Sequence, residues 1–200
     1  MPAPLQGITV LDLTHVLAGP FASLTLADLG ARIIKVERPG TGDDTRGFPP
    51  FLQGESAYFA ALNAGKQSIA LDLKAAPDRA LFDRLLKKAD ILLENYRPGV
   101  MERLGYGWET LHNAHPRLIY GAVSGFGHTG PDCGKPAYDM VVQARGGVMS
   151  ITGESGGPPV RVGASGSVVA PSPPQPATVA GTAMLARRTT LPRFRRSATI

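Results

Sequence analysis

The stretch GITVLDLTHVLAGPFASLTLADLGARIIKVE, residues 7–37, reads as a strand, a helix and a second strand. Ile8 to Leu13 is a short run of aliphatic and β-branched side chains, a composition that suits a buried, pleated segment. Pro20 to Leu29 follows, with Phe21, Leu24, Leu26 and Leu29 at spacings a helix can bury. Gly30 ends that helix, and Ala31 to Glu37 is aliphatic again. A unit of about thirty residues is what a right-handed crossover between parallel strands requires.

The pattern recurs downstream. SIALDL (Ser68 to Leu73) precedes a helix near Pro77 to Lys88, which carries Leu81, Leu85 and Leu86 on one face, and DILLEN (Asp90 to Asn95) follows it. A further helix near Trp108 to Ala114 leads into RLIYGAVS (Arg117 to Ser124). Alternating strands and helices predict an α/β fold, doubly wound and Rossmann-like, with a mostly parallel sheet. Ligands of such sheets bind at the carboxyl ends of the strands. The residues at those ends are Thr14 to Pro20, Arg38-Pro39-Gly40, Tyr96 to Gly99, and the glycine-rich run from Ser124 to Ser165.

Charge separates the chain into two parts. Lys and Arg number 21 and Asp and Glu 16, and five of the arginines (Arg187, Arg188, Arg193, Arg195, Arg196) lie beyond residue 165. Residues 1–165 are therefore balanced, at sixteen of each sign. Residues 166–200 contain no Asp, Glu or Lys but five Pro, and this composition predicts a solvated, disordered tail rather than a nucleic-acid-binding element. Two hundred residues suffice for one domain or for one lobe of something larger. The start MPAPLQG lacks a secretory pattern, no apolar run has membrane-spanning length, and the single Cys133 excludes an internal disulfide. The expectation is a soluble cytoplasmic protein with no membrane and no nucleic-acid partner.

Several site types can be weighed from the residues. Glu37 ends the second strand where a ribose-binding acid belongs, yet the first turn has one glycine, Gly19, in place of the three a dinucleotide fingerprint needs. Beside it, Arg38 suits a phosphate monoester, or else pairs with Asp43 or Asp44 at the surface; position leaves both readings open. Gly153-Glu154-Ser155-Gly156-Gly157 matches G-x-S-x-G, but Pro158-Pro159 follows and no acid remains downstream, so it reads as a turn. His112, His115, His128 and Cys133 lack the paired spacing of a metal site. His15, directly after a strand and before a Gly-Pro helix start, is a candidate either for structure or for function.

DLTHVLAGPFAS, ADLGARIIKVERPGTGDDTR, NAGKQSIALDLK, ADILLENYRPGVMERLG and GFGHTGPDCGKPAYDMVVQARGGVMSITG occur in this order. Together they resemble the signatures of the family III CoA-transferases, the CaiB/BaiF family, over about residues 7 to 165. The resemblance implies transfer of CoA from an acyl-CoA to a small carboxylic, often dicarboxylic, acid through an acyl-aspartyl intermediate. It implies no permanently bound cofactor, since coenzyme A is a substrate. By resemblance, Arg38 holds a CoA phosphate, the backbone of His15, Val16 and Ala18 lines the thioester or nucleotide, and Lys74, Asn95, Arg103 and Lys135 contact CoA. A cationic set suits a ligand bearing an ADP 3'-phosphate.

Two departures qualify the expectation. Racemases of this family place His before the Asp of the GKPAYD segment, where this chain has Tyr138 before Asp139, which favours transfer over racemisation. The nucleophilic Asp belongs just after Ser165 in a Gly-Asp pair opening an apolar helix. Here the sequence is Gly166-Ser167-Val168-Val169-Ala170-Pro171, and no Asp or Glu follows Glu154. Pro171, Pro173, Pro174 and Pro176 also oppose a helix there. Family members are about twice as long and form interlocked homodimers, which residues 166–200 cannot encode. The expectations are thus a truncated transferase lobe lacking its nucleophile, with a tail that is out of frame, or a catalytically inactive CoA-binding remnant.

Overall fold

The amino-terminal strand-helix-strand unit is present, with β1 at Thr9–Asp12, α1 at Ala18–Asp28 and β2 at Arg32–Glu37. The chain continues through a small hairpin, β3 (Phe51–Leu52) and β4 (Glu55–Ser56), into α2 (Ala57–Asn63) and β5 (Gln67–Ala70). Then come α3 (Ala76–Leu86), β6 (Ile91–Glu94), α4 (Val100–Leu104), α5 (Trp108–Ala114), β7 (Ile119–Ser124), α6 (Asp139–Arg145) and β8 (Ala183–Arg187). This computed structural model describes residues 2–163 and, for residues 183–187, the backbone. Apart from β8, the stretch 166–200 lies outside the described residues.

The main sheet has the order β5-β2-β1-β6-β7-β8. Its first five strands are parallel; β8 pairs antiparallel with β7, Ser124 facing Ala183 and Tyr120 facing Arg187. The chain starts at the middle of the sheet, winds outward through β2 and β5, then returns to the other side of β1 for β6 and β7. That is the doubly wound arrangement expected from the alternation of strands and helices.

Both faces of the sheet are covered, as parallel sheets require. One face carries Leu11, Ile34, Val36 and Leu92 against Phe82 and Leu86 of α3, Met101 of α4 and Leu111 of α5. On the opposite face Val10, Ile33 and Leu93 pack with Leu26 and Ala27 of α1. Alternation places Asp12, Lys35 and Glu37 on this second face, nearer the carboxyl ends of their strands. All three are buried. The face under α1 thus changes from aliphatic to charged as the strands approach the crevice.

The fit of α1 differs from the apolar spacing expected of it. Phe21 is 59% exposed and Leu29 41% exposed, whereas Gly19, Pro20 and Ser23 are the buried residues of the helix. The reason is close approach. A Cβ on Gly19 would stand 2.3 Å from Cβ of Thr14, so only a small-residue face fits against the end of β1. Gly30 terminates the helix at φ +97°, a conformation that glycine adopts without steric penalty.

Candidate functional site

The strand order reverses between β1 and β6, and at that point the two strands diverge into different connections. In open α/β sheets this is where ligands bind. A cavity of about 190 Å³ lies there, lined by Thr14, His15, Arg38, Gly42, Asp43, Asp44 and Tyr96 among others. His15 and Tyr96 face each other across it with ring centroids 5.3 Å apart. Burial lowers the pKa of the His15 imidazole, against the opposing pull of Asp43 and Asp44, which favours its neutral form.

Buried charged groups under α1 support the crevice, and Lys35 and Glu37 line it. Asp12 accepts hydrogen bonds from the Thr14 amide (2.9 Å) and hydroxyl, from Ser23, and from Nζ of Lys66 (3.2 Å). Lys66 also donates to the Pro20 carbonyl, Ser23 and Asn63, and burial lowers its pKa. Lys35 donates to the Thr14 carbonyl at 2.6 Å and pairs with Asp43 at 2.9 Å, both side chains 1% exposed. The Glu37 carboxylate is wholly engaged, accepting a two-pronged contact from Arg46 (2.7 and 2.8 Å), the Ser68 hydroxyl and the Asp43 amide. Burial alone would raise its pKa, but those hydrogen bonds outweigh it and hold the group at about 2. It is a scaffold, which removes the remaining sense in which it resembled a ribose-binding acid.

The residues named from sequence divide into two sets. His15 and Arg38 line the cavity, whereas Val16 and Ala18 do not, and nor does Asn95, at the end of β6. Its amide is engaged with the peptide of His15, accepting from the His15 N–H at 2.9 Å and donating to the His15 carbonyl at 2.7 Å. Arg38 stands at the rim and pairs with Asp44 at 2.6 Å, both largely exposed, so the surface pairing is made while the guanidinium remains beside the cavity. Lys74, Arg103 and Lys135 do not line it. They are exposed and lie respectively after β5, in the last turn of α4, and in the loop after β7, where Lys135 pairs with Asp132 at 2.5 Å. Ser155 sits in an exposed turn, with the Gly157 amide donating to the Glu154 carbonyl. Among the described residues no cluster of three or more His, Cys, Asp or Glu side chains is placed to hold a metal, and no helix is long and apolar enough to cross a membrane.

Sequence reading passed over Lys35 and Lys66, and named Asp43 only as a possible partner of Arg38, whereas it pairs with Lys35. A signal existed for Lys35. A lysine within RIIKVE, in a parallel strand buried on both faces, must find a partner. The partner itself comes from a loop and could not be named in advance.

A second cavity of about 340 Å³ opens near the carboxyl end of β7, between Pro98, Glu102, Trp108, Tyr120 and His128. Behind it Glu94 is 1% exposed and accepts from the Tyr96 amide (2.8 Å) and the Tyr120 hydroxyl (3.1 Å), with Nε2 of His128 at 3.8 Å. Burial pushes the Glu94 carboxyl up to about 7 despite those bonds.

A doubly wound parallel sheet with a polar crevice at its switch point places the chain among the α/β proteins. The sequence matches the model of CoA-transferase family III over residues 5–190, and the chain belongs to that family. The match runs past Ser165, beyond the stretch in which the signatures were recognised. Acetyl-CoA:oxalate CoA-transferase of Acetobacter aceti is 56% identical over 160 residues, covering 80% of this chain and 41% of that protein. Succinyl-CoA:glutarate CoA-transferase of Mus musculus is 47% identical over 161 residues, covering 80% and 37%. A CAIB/BAIF family protein from Brucella suis has a solved structure that superposes with a TM-score of 0.77 at 42% identity, covering 82% of this chain and 44% of that one. The chain thus spans about two fifths of the length of the curated relatives it matches.

Proposed function

We propose that this chain is the CoA-binding lobe of a CoA-transferase that moves CoA from an acyl-CoA to a small carboxylic acid, dicarboxylic acids included. The observation that carries the reading is the convergence of Thr14, His15 and Arg38 on one cavity at the switch point, in a chain of this family. Relatives that act on oxalate and on glutarate supply the acceptor class. Arg38 takes a phosphate by exchanging Asp44 for it, a charge-assisted contact stronger than the exposed pair it replaces. Val16 and Ala18 lie outside the cavity lining, in the turn that continues from His15, and offer backbone there. Lys74, Arg103 and Lys135, each downstream of a strand's carboxyl end, are the cations a long, polyanionic ligand would meet beyond the cavity.

In the transfer itself a carboxylate attacks the thioester carbonyl and expels CoA as thiolate, leaving an acyl-aspartyl anhydride. The thiolate then attacks the aspartyl carbonyl, releasing the donor acid and leaving an aspartyl thioester. The acceptor carboxylate displaces the thiolate from it, and the thiolate finally takes the acceptor's acyl group and frees the aspartate. Dividing the exchange in this way avoids one direct and difficult step. The aspartate belongs just after Ser165, and no Asp or Glu follows Glu154. That observation favours a second reading for the chain as it stands, in which it binds CoA without catalysing exchange. Tyr138 in place of a histidine speaks against proton abstraction and hence against racemisation.

Thermal unfolding with and without CoA, together with CoA exchange between succinyl-CoA and oxalate or glutarate, tests both readings. Binding raises the midpoint in proportion to ligand excess. No shift in millimolar CoA overturns the CoA-binding reading, and exchange at the relatives' rates overturns the absence of the nucleophile.

A further inference from the structure

The turn leaving β1 is held by side chains from three other parts of the chain. The Thr14 carbonyl accepts from Lys35 of β2 (2.6 Å), and the His15 peptide is gripped on both its N–H and its C=O by Asn95, which follows β6 (2.9 and 2.7 Å). The Val16 N–H donates to Asp43 at 3.3 Å, and Asp43 is itself fixed by Lys35 and by the amide and hydroxyl of Thr45. Four consecutive peptide polar groups are therefore fixed by side chains rather than by sheet or helix. Val16 in addition has φ +69°, the left-handed region, in which a β-branched residue is a genuine outlier. Such a conformation is strained and persists where the surroundings over-determine it, commonly beside a ligand site.

We infer that Asn95, Lys35 and Asp43 are positioning residues, which act on the ligand by fixing the His15–Ala18 backbone. For Asn95 this replaces the direct contact with CoA that the family resemblance implies. An amide that already accepts from the His15 N–H and donates to the His15 carbonyl has one N–H and one lone pair left for anything else. Binding to a pre-ordered backbone avoids the ordering cost that a loose turn would impose. The inference rests, for its ligand, on the reading of the crevice as a CoA site.

The test compares the full 200-residue chain with Asn95→Ala, Asp43→Ala and Arg38→Ala, measuring CoA affinity by calorimetry and amide exchange at residues 14–18 without ligand. The expected result is faster exchange of the His15 amide in Asn95→Ala and of the Val16 amide in Asp43→Ala, each with at least tenfold weaker CoA binding. Arg38→Ala should weaken binding and leave exchange unchanged. Weaker binding with unaltered exchange in Asn95→Ala overturns the inference in favour of direct contact. Faster exchange with unaltered affinity overturns it as well, because the clamp then has no bearing on the ligand. If Asn95→Ala does not fold, Asn95→Asp, which keeps the acceptor for the His15 N–H and loses the donor to its carbonyl, is measured by the same criteria. Absence of CoA binding in the unmutated chain overturns the functional reading, and the exchange measurements still decide whether the side chains order the turn.

Discussion

The turn after β1 and the run after β7 occupy equivalent places, each leaving the carboxyl end of a parallel strand, yet they are held by different forces. The first is bound by buried charge, with Lys35, Asp43, Asp12 and Lys66 all close to zero exposure. The second, from Gly125 to Gly163, relies on one buried amide, Gln143, which bonds the backbone of Val162, and on surface pairs of Asp132 with Lys135 and Arg145. It also leaves Tyr138 70% exposed and Ile151 86% exposed. Buried ion pairs fix geometry because breaking one strands a charge; exposed pairs compete with water and fix little. The crevice side of the fold is therefore ordered from within, while the β7 side presents apolar groups to whatever meets it.

The sharpest way to break that contrast is to remove one charge from the crevice. Lys35→Met should cost about 3–5 kcal/mol in denaturant unfolding, since Asp43 then stays buried without its counterion. A loss below about 1 kcal/mol would mean that the pair is dispensable and that the two regions differ less than their geometry suggests.

The boundary between the regions is sharpened by Glu94. Its native pKa, about 7, lies above the ordinary carboxylate value, so the folded state binds the proton more tightly than the unfolded chain. Wild-type stability from this group is complete below the unfolded pKa and is lost as pH rises through about 7. Glu94→Gln should therefore gain stability relative to wild type between about pH 5 and pH 8, by up to about 3 kcal/mol. A difference that does not vary with pH would show that the carboxyl titrates normally. Glu37 has the opposite sign. Its depressed pKa, about 2, gives stability that is complete above the unfolded carboxylate value and is lost as pH falls from there through about 2.

The smallest effect is expected in the glycine-rich run. Lys135→Ala removes an exposed partner of Asp132 and should leave the unfolding midpoint unchanged. The same variant lowers CoA affinity if the proposed contact is real, so stability and binding separate at this position.

Much of the fold was legible because parallel strands announce themselves. ITVLDL, ARIIKVE, DILLEN and RLIYGAVS each contain the observed strand, with a residue or two to spare at the ends, and SIALDL misses only Gln67 at the start of β5. The helix at Trp108–Ala114 coincides with α5. The hairpin of β3 and β4 escaped notice because two-residue strands have no periodicity to read, and Phe51 and Leu52 are exposed rather than alternating. Helix α1 was recognised, but its packing face was misjudged, since apolar spacing identifies large residues and the contact is made by Gly19 and Ser23. At the site, His15 and Arg38 were legible from their place after strands. The role of Asn95 was not, because its partner lies 80 residues away and no local pattern joins them.

That separation governs when the crevice can exist during synthesis. Asp12 meets Lys66 across 54 residues and His15 meets Asn95 across 80. A nascent chain can form the first strand and helix early, and Lys35 and Asp43 can then hold the Thr14 carbonyl and the Val16 N–H. The His15 N–H and carbonyl, however, lack Asn95 until β6 has emerged from the ribosome and docked. Non-local contacts of this kind form late. Any fragment ending before Asn95 should therefore retain helical content and lack the site, however well its first unit is folded.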